Sequence, residues 1–110
     1  MWAKPTRLDL AKFPKIGETD GESNACTKVK GHFLLGSCDW FVTEFDGEDM
    51  FYGFAILNGD LDCAEWGYIS YKELQEIKVR GMFEVDFDKH WDIREVQNVQ
   101  KIVEAGGVYK

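Results

Sequence analysis

Asp86, Asp88 and His90 alternate along the stretch DFDKH, so an extended chain would hold them on one side. An Asp88–His90 dyad with Asp86 nearby is the residue set of a small metal-dependent hydrolase. Glu84, Asp86 and Asp88 would stand about 7 Å apart in succession, so an ion there needs ligands from neighbouring elements. Carboxylates aligned toward water keep ordinary proton affinities, and the bland reading of these acids is a solvated strand face. Asn58, Asp60 and Asp62 share the opening spacing of a calcium loop, but Cys63 stands where that loop needs glycine and Ile69 where it needs a bidentate glutamate. Cys26, His32, Cys38, Cys63 and His90 show no zinc-knuckle spacing. Glycine-rich phosphate loops and the GxSxG nucleophile turn are missing, and Cys63 sits among acids that do nothing to activate a thiol. No resident cofactor or metal is implied by these patterns.

Charge is the stronger signal. The chain of 110 residues carries a formal net charge of −7. Between Gly31 and Tyr71 it has no lysine or arginine, yet it places Asp39, Glu44, Asp46, Glu48, Asp49, Asp60, Asp62 and Glu65 there. Such a block repels nucleic acid and anionic lipid and attracts a basic protein surface. The plain alternative is that acids keep an aromatic-rich sheet in solution. Trp40, Tyr52, Trp66 and Tyr68 lie within this block, where a base-stacking sheet would need a basic groove; at a protein interface they would serve as anchors.

Elements to position these residues follow from the apolar pattern. At 45% hydrophobic and 15% aromatic content, residues 1–110 read as a single domain. Residues 1–24 read as an anchored arm around Pro14 and a surface loop, GETDGESN. Residues 25–88 read as the sheet core. TKVKGHFLL suggests one strand with Val29 and Phe33 on one side and Lys28, Lys30 and His32 on the other. DWFVTEF and MFYGFAIL flank a hairpin turn with Gly47 at positive φ, and they place Trp40 and Val42 opposite Phe41 and Phe45. WGYIS gives a further strand, and SYKE caps a short helix over 71–77. FEVDFD alternates as an outer strand burying Phe83, Val85 and Phe87. Ile93, Val96, Val99, Ile102 and Val103 predict a closing amphipathic helix over 92–105, stopped by Gly106 and Gly107. The sum is an α+β fold: a largely antiparallel sheet of four to five strands with a short helix and a C-terminal helix.

One resemblance extends over about residues 8 to 98. Trp40, Val42, Thr43, Glu44, Asp46 and Gly47 match the pattern W-x-V-T-E-x-D-G, and Gly53 lies in the apolar strand that follows. Glu65, Gly67, Tyr68, Ser70, Glu73 and Leu74 match E-x-G-Y-x-S-x-x-E-L. The stretch resembles the bacterial family catalogued as domain of unknown function 2958. KFPKIGETDG and FEVDFDKHW resemble its earlier and later segments, although Phe87 stands where an arginine is expected among the acids. The resemblance implies a small stand-alone domain associated with plasmids, phages and other mobile elements, and an accessory or host-interaction role. It brings no reaction and no catalytic residue.

The expectation is therefore a small acidic, non-enzymatic interaction protein of a bacterium, phage or plasmid. Glu44, Asp46, Glu48, Asp49, Asp60, Asp62 and Glu65, with Trp40, Trp66 and Tyr68, would bind a basic protein partner, including one that itself binds DNA or RNA, by mimicry of nucleic-acid charge or as an anti-defence device. A metal-dependent hydrolase using His90, Asp86 and Asp88, and a structural homo-oligomer on an uncovered aromatic face, are the alternatives. Three unpaired-looking cysteines, no apolar leader and no membrane-length apolar run place the chain in a reducing cytoplasm, with no direct contact to membrane or nucleic acid.

Overall fold

Alternating bulky residues and tight turns fold the middle of the chain into an antiparallel meander, seen in a computed structural model that describes residues 1–110. Strands β1 (Lys28–Val29), β2 (Gly31–Leu35), β3 (Cys38–Phe45), β4 (Met50–Ile56) and β5 (Glu65–Ser70) follow a short helix α1 (Arg7–Ala11). Helix α2 (Tyr71–Glu76) leads to β6 (Lys78–Val79), β7 (Phe83–Glu84), β8 (Asp86–Phe87), β9 (Arg94–Glu95) and helix α3 (Gln100–Glu104). The main sheet runs β5-β4-β3-β2-β8 and is antiparallel throughout; β1 pairs with β9 and β6 with β7 in two small ribbons. The expected α+β fold with an antiparallel sheet, short helices and a C-terminal helix is the one found. No helix is long and apolar enough to cross a membrane.

Each face of the sheet carries its own core. On one, Phe33, Trp40, Val42, Phe45, Phe51 and Phe87 pack with Leu74 of α2 and with Phe13 of the N-terminal segment. On the other, Phe41, Phe54 and Ile56 pack against Val96, Val99 and Ile102 in and before α3. Two covered faces explain why the strands read as apolar on both sides. They leave no broad bare sheet face of the kind a stacked homo-oligomer would use.

Thr43 is an extra residue in β3. Val42 pairs with Gly53 and Glu44 with Tyr52, so a bulge falls between them. A single inserted residue reverses the alternation beyond it. Phe45 therefore joins Trp40 and Val42 instead of opposing them, and Glu44 turns to the side of Phe41. The strand expected over TKVKGHFLL is likewise two pieces. It breaks at Lys30, which puts Val29 in the α3 core and Phe33 in the opposite one.

The late elements are shorter than their periodicity suggests. FEVDFD is divided between β7 and β8, which pair with different partners; Val85 and Phe87 are buried while Phe83 is exposed. The C-terminal helix spans only Gln100–Glu104, preceded by a 3₁₀ turn at 96–98 and by β9. Val96, Val99 and Ile102 still face the core, whereas Ile93 and Val103 do not. Pairing of β9 with β1 removes 94–95 from any helix. Ser70 caps α2 by accepting from Glu73 N at 3.1 Å as its sequence implies, and Asp49 supplies the second acceptor, taking Lys72 N at 2.7 Å.

Gly53 faces the bulge so closely that a Cβ there would lie 2.2 Å from Phe41 O and 2.9 Å from Val42 Cα. Gly67, its neighbour in β5, has open space at the same position. We expect Gly53→Ala to destabilise the fold by about 3 kcal/mol, the upper range for overpacking against unyielding backbone. Gly67→Ala should leave the urea midpoint nearly unchanged. Equal midpoints for the two variants would refute this account of the bulge.

Candidate functional site

Successive turns of a meander lie at opposite ends of its strands, and this divides the acidic block. The β3–β4 turn holds Asp46, Glu48 and Asp49; the β4–β5 connection holds Asp60 and Asp62, with Glu65 opening β5. Six residue steps along β4 separate these ends by about 20 Å. The acids expected to form one surface therefore do not form one.

Most of them also have structural occupations. Asp46 Oδ1 accepts from the amides of Glu48, Asp49 and Met50 at 2.8, 2.8 and 3.0 Å, closing the hairpin in which Gly47 has φ 92°. Those amides hold its carboxyl below the usual range. Asp49 caps α2 and also accepts from the Ser70 hydroxyl at 2.7 Å. Asp60 Oδ1 accepts from the amides of Asp62 and Cys63 at 3.1 and 3.2 Å. Lys110 Nζ brings a cation to that turn by donating to Leu61 O and Ala64 O. Glu48, Asp62 and Glu65 remain exposed without a hydrogen-bonding role for their side chains. Trp40 is buried in the core and offers nothing to a partner.

The bulge creates a different acidic site. Glu44, 3% exposed, accepts from Gly17 N at 3.2 Å, from Thr19 N at 3.0 Å and from the Thr19 hydroxyl. These bonds draw the GETDGESN loop over the end of the sheet. Between loop and sheet lies a groove of about 320 Å³, with Asp20, Glu22 and Asn24 on one side and Tyr52, Trp66 and Tyr68 on the other. Cross-strand pairing sets the aromatic wall: Tyr52 lies opposite Tyr68, and Phe54 opposite Trp66. Tyr52 and Trp66 are parallel at 5.9 Å, and Tyr68 stands edge-on to Tyr52 at 5.4 Å. Trp66 is fixed by donating from Nε1 to Gly107 O at 2.8 Å, while Tyr68 is 64% exposed. No lysine or arginine lines the groove. Burial chiefly, then Tyr68, Glu44 and Asp20, push the Tyr52 phenol up, as expected where negative charge opposes a phenolate. Such a surface offers ring faces and carboxylates together, which suits a cation.

A second polar cluster occupies a cleft of about 580 Å³ beside α3. His32 Nε2 lies 2.7 Å from Asp39 Oδ1 and His32 Nδ1 lies 3.2 Å from Asp88 Oδ2. His32 thus lies between two carboxylates, one ring nitrogen facing each. Lys101 of α3 donates to the other Asp39 oxygen at 2.8 Å, and the His32 ring stacks on Phe41 at 4.6 Å. Arg94 lies over Trp91 at 4.0 Å, and Trp91 Nε1 donates to Val29 O at 2.9 Å. No hydroxyl or thiol lines this cleft, and neither nitrogen of His32 is open, so the cluster acts as a clamp between β2, β3, α3 and the 88–94 segment.

The residues proposed for a hydrolase do not converge. Asp86 Oδ1 accepts from Ala3 N at 2.8 Å, Asp88 is taken by His32, and His90 is exposed at the rim of the cleft. His32, not His90, is the histidine held among carboxylates. Its position opposite Phe41, two pairs from Leu34–Asp39 and so on the same face, was accessible only through the β2–β3 register. Asp20 and Glu22 were hidden in a loop that sequence pattern marks only as surface.

A family model described as "Protein of unknown function (DUF2958)" matches residues 7–104, a range that contains every residue of the groove and of the cleft. No curated protein and no solved structure matches the chain.

The clamp has a definite pH signature. Burial, the largest single influence on Asp39, pushes its carboxyl up, but the hydrogen bonds and charges of His32 and Lys101 together outweigh it and hold the carboxyl below its usual range. A carboxyl depressed by folding contributes stability that is complete above its unfolded value and is lost as pH falls through the lowered folded value. We expect Asp39→Asn to lower unfolding free energy by about 2 kcal/mol near pH 7, since charged hydrogen bonds to a buried acceptor are lost. The gap between wild type and variant should close on acidification through the carboxyl range in urea titrations. A gap independent of pH would show that Asp39 is not charged in the fold.

Proposed function

The chain belongs to this family of proteins of unknown function, and we propose that it is a non-enzymatic interaction protein whose groove receives a basic segment of a protein partner. One observation carries this reading: an aromatic corner of half-buried Tyr52 and Trp66 and exposed Tyr68 stands among Asp20, Glu22 and Glu44 with no lysine or arginine in the lining. A guanidinium or ammonium entering the groove keeps carboxylates within reach while its hydrated face is replaced by aromatic rings. Glu44 is already satisfied by the loop, so it shapes the groove and supplies field; Asp20 and Glu22 are the acids free to pair.

The acidic surface of this reading is the groove, not the hairpin tip. Asp46 commits Oδ1 and Asp49 both oxygens to the fold, and Asp60 and Asp62 lie a strand length from that tip. Basic segments of DNA- or RNA-binding proteins are the partner class that fits, in the bacterial, phage or plasmid setting implied by the resemblance. Capture by charge also makes association faster at low ionic strength than its affinity alone would suggest.

A fluorescently labelled arginine-rich peptide tests the groove. We expect it to bind wild type, to bind Tyr68→Ala about tenfold more weakly, a loss of about 1.4 kcal/mol in the range of a cation on a partly desolvated ring, and to be lost in Asp20→Lys/Glu22→Lys. Glu48→Lys at the hairpin tip should leave binding intact. Equal affinity for all four proteins, with circular dichroism showing each folded, would dispose of the reading.

A further inference from the structure

The connection from α2 to β8 forms a small ribbon outside the main sheet. Lys78 pairs with Glu84 and Val79 with Phe83, and Met82 N donates to Val79 O at 3.1 Å. At its tip Arg80 and Gly81 have φ 54° and 71°. Both are in the left-handed region, where glycine is at ease and arginine is not. Arg80 is exposed and makes neither a side-chain hydrogen bond nor an ion pair. Beside it Val79, Met82 and Phe83 are 44%, 63% and 44% exposed. Phe83 follows the alternation of a buried strand and yet lies in solvent. A cation at the tip of an apolar hairpin is the chemical counterpart of an acidic aromatic groove.

We propose that this hairpin enters the groove of a second copy of the chain, so that the protein assembles head to tail. The proposal rests on the preceding reading of the groove and names its occupant. Arg80 presents a planar fork that can bond Asp20 or Glu22 while lying on Tyr68, and Met82 and Phe83 cover the remaining ring surface. The groove lies in the α3 layer at the β5 edge, where Tyr52, Trp66 and Tyr68 project. The hairpin starts from α2, whose Leu74 packs in the opposite layer, and ends at β8, the other edge. Contact between two such different surfaces is heterologous, which builds chains or rings in place of a two-fold dimer. The net charge of −7 opposes association, so assembly is weak and grows with concentration.

Complementing variants decide the matter. Arg80→Asn removes the cation with a residue that accepts left-handed backbone, and Asp20→Lys/Glu22→Lys removes the receiving acids. In sedimentation or light scattering, wild type should grow beyond dimer with concentration and each variant alone should stay monomeric. A mixture of the two should form a 1:1 dimer and stop there, because one intact hairpin and one intact groove remain. Met82→Glu should reproduce the Arg80→Asn result. Wild type that stays monomeric, or a mixture that does not pair, overturns the proposal. So does a hairpin that instead binds phosphatidylserine vesicles and loses them in Arg80→Asn with no change in mass. The arginine-rich peptide separates the two readings: bound by wild type while the mixture stays unpaired, it leaves the groove standing and removes only the self-docking; unbound, it removes both.

Discussion

One inserted residue in β3 governs the polar architecture of this protein. Without the bulge at Thr43, Glu44 would continue the alternation and point into the phenylalanine layer, where an unpaired carboxylate has no acceptable solution. With it, Glu44 emerges on the opposite side, beneath the Gly17–Thr19 loop, and satisfies two amides and a hydroxyl. Phe45 takes the inward position instead and stacks on Phe51 at 4.4 Å, with Phe13 edge-on to both. The same residue thus completes one core, anchors the N-terminal segment and opens an acidic groove. Gly53 is the partner condition, since no side chain fits opposite the irregularity.

The second dependence is the clamp at His32. Helix α3 has only five residues and no side-chain N-cap, too short to hold itself by propensity. It is held by what it buries and by Lys101, whose ammonium reaches Asp39 across to β3. Gly107 extends this hold. Its backbone approaches Phe54 and Ile102 so closely that a Cβ would lie 2.4 Å from Ile102, and its carbonyl fixes Trp66. The C-terminal layer and the aromatic wall of the groove are therefore mechanically one piece.

Fold class was legible because local signals agreed with the tertiary result. Gly47 in its turn and the alternation of MFYGFAI survive unchanged, and Ser70 caps α2 as expected, with Asp49 in place of a returning Glu73 bond. The failures share one cause. Period-2 and period-3.6 patterns assume uninterrupted elements, and this chain interrupts them at Thr43, at Lys30 and between Glu84 and Asp86. Each interruption reverses which residues share a face: Phe45, Val29 and Phe83 were all misplaced for that reason. The site was less legible than the fold. Trp66 and Tyr68 do line the groove, but Trp40 is core, Glu44 is buried, and Asp20 and Glu22 come from a loop with no periodic signal. His32 and Asp39 stand seven apart in sequence and meet only because β2 and β3 pair in one register.

The acidic block has, in the end, a mechanical origin. A meander covered on both faces has amides at its turns that no strand partner can satisfy, and an aspartate two to four residues upstream accepts them where a lysine, a donor only, cannot. Asp46 and Asp60 each do this, and Asp49 does it for α2. Glu44 does it for the loop, and Asp39 accepts from the Lys101 ammonium that fastens α3. Five of the eight acids between Gly31 and Tyr71 are thus acceptors required by the fold, although only Asp39 is also met by a lysine and the others keep their charge. Glu44 does more than accept: its bonds to the GETDGESN loop place Asp20 and Glu22 across from three aromatic rings, the arrangement on which the proposed recognition rests.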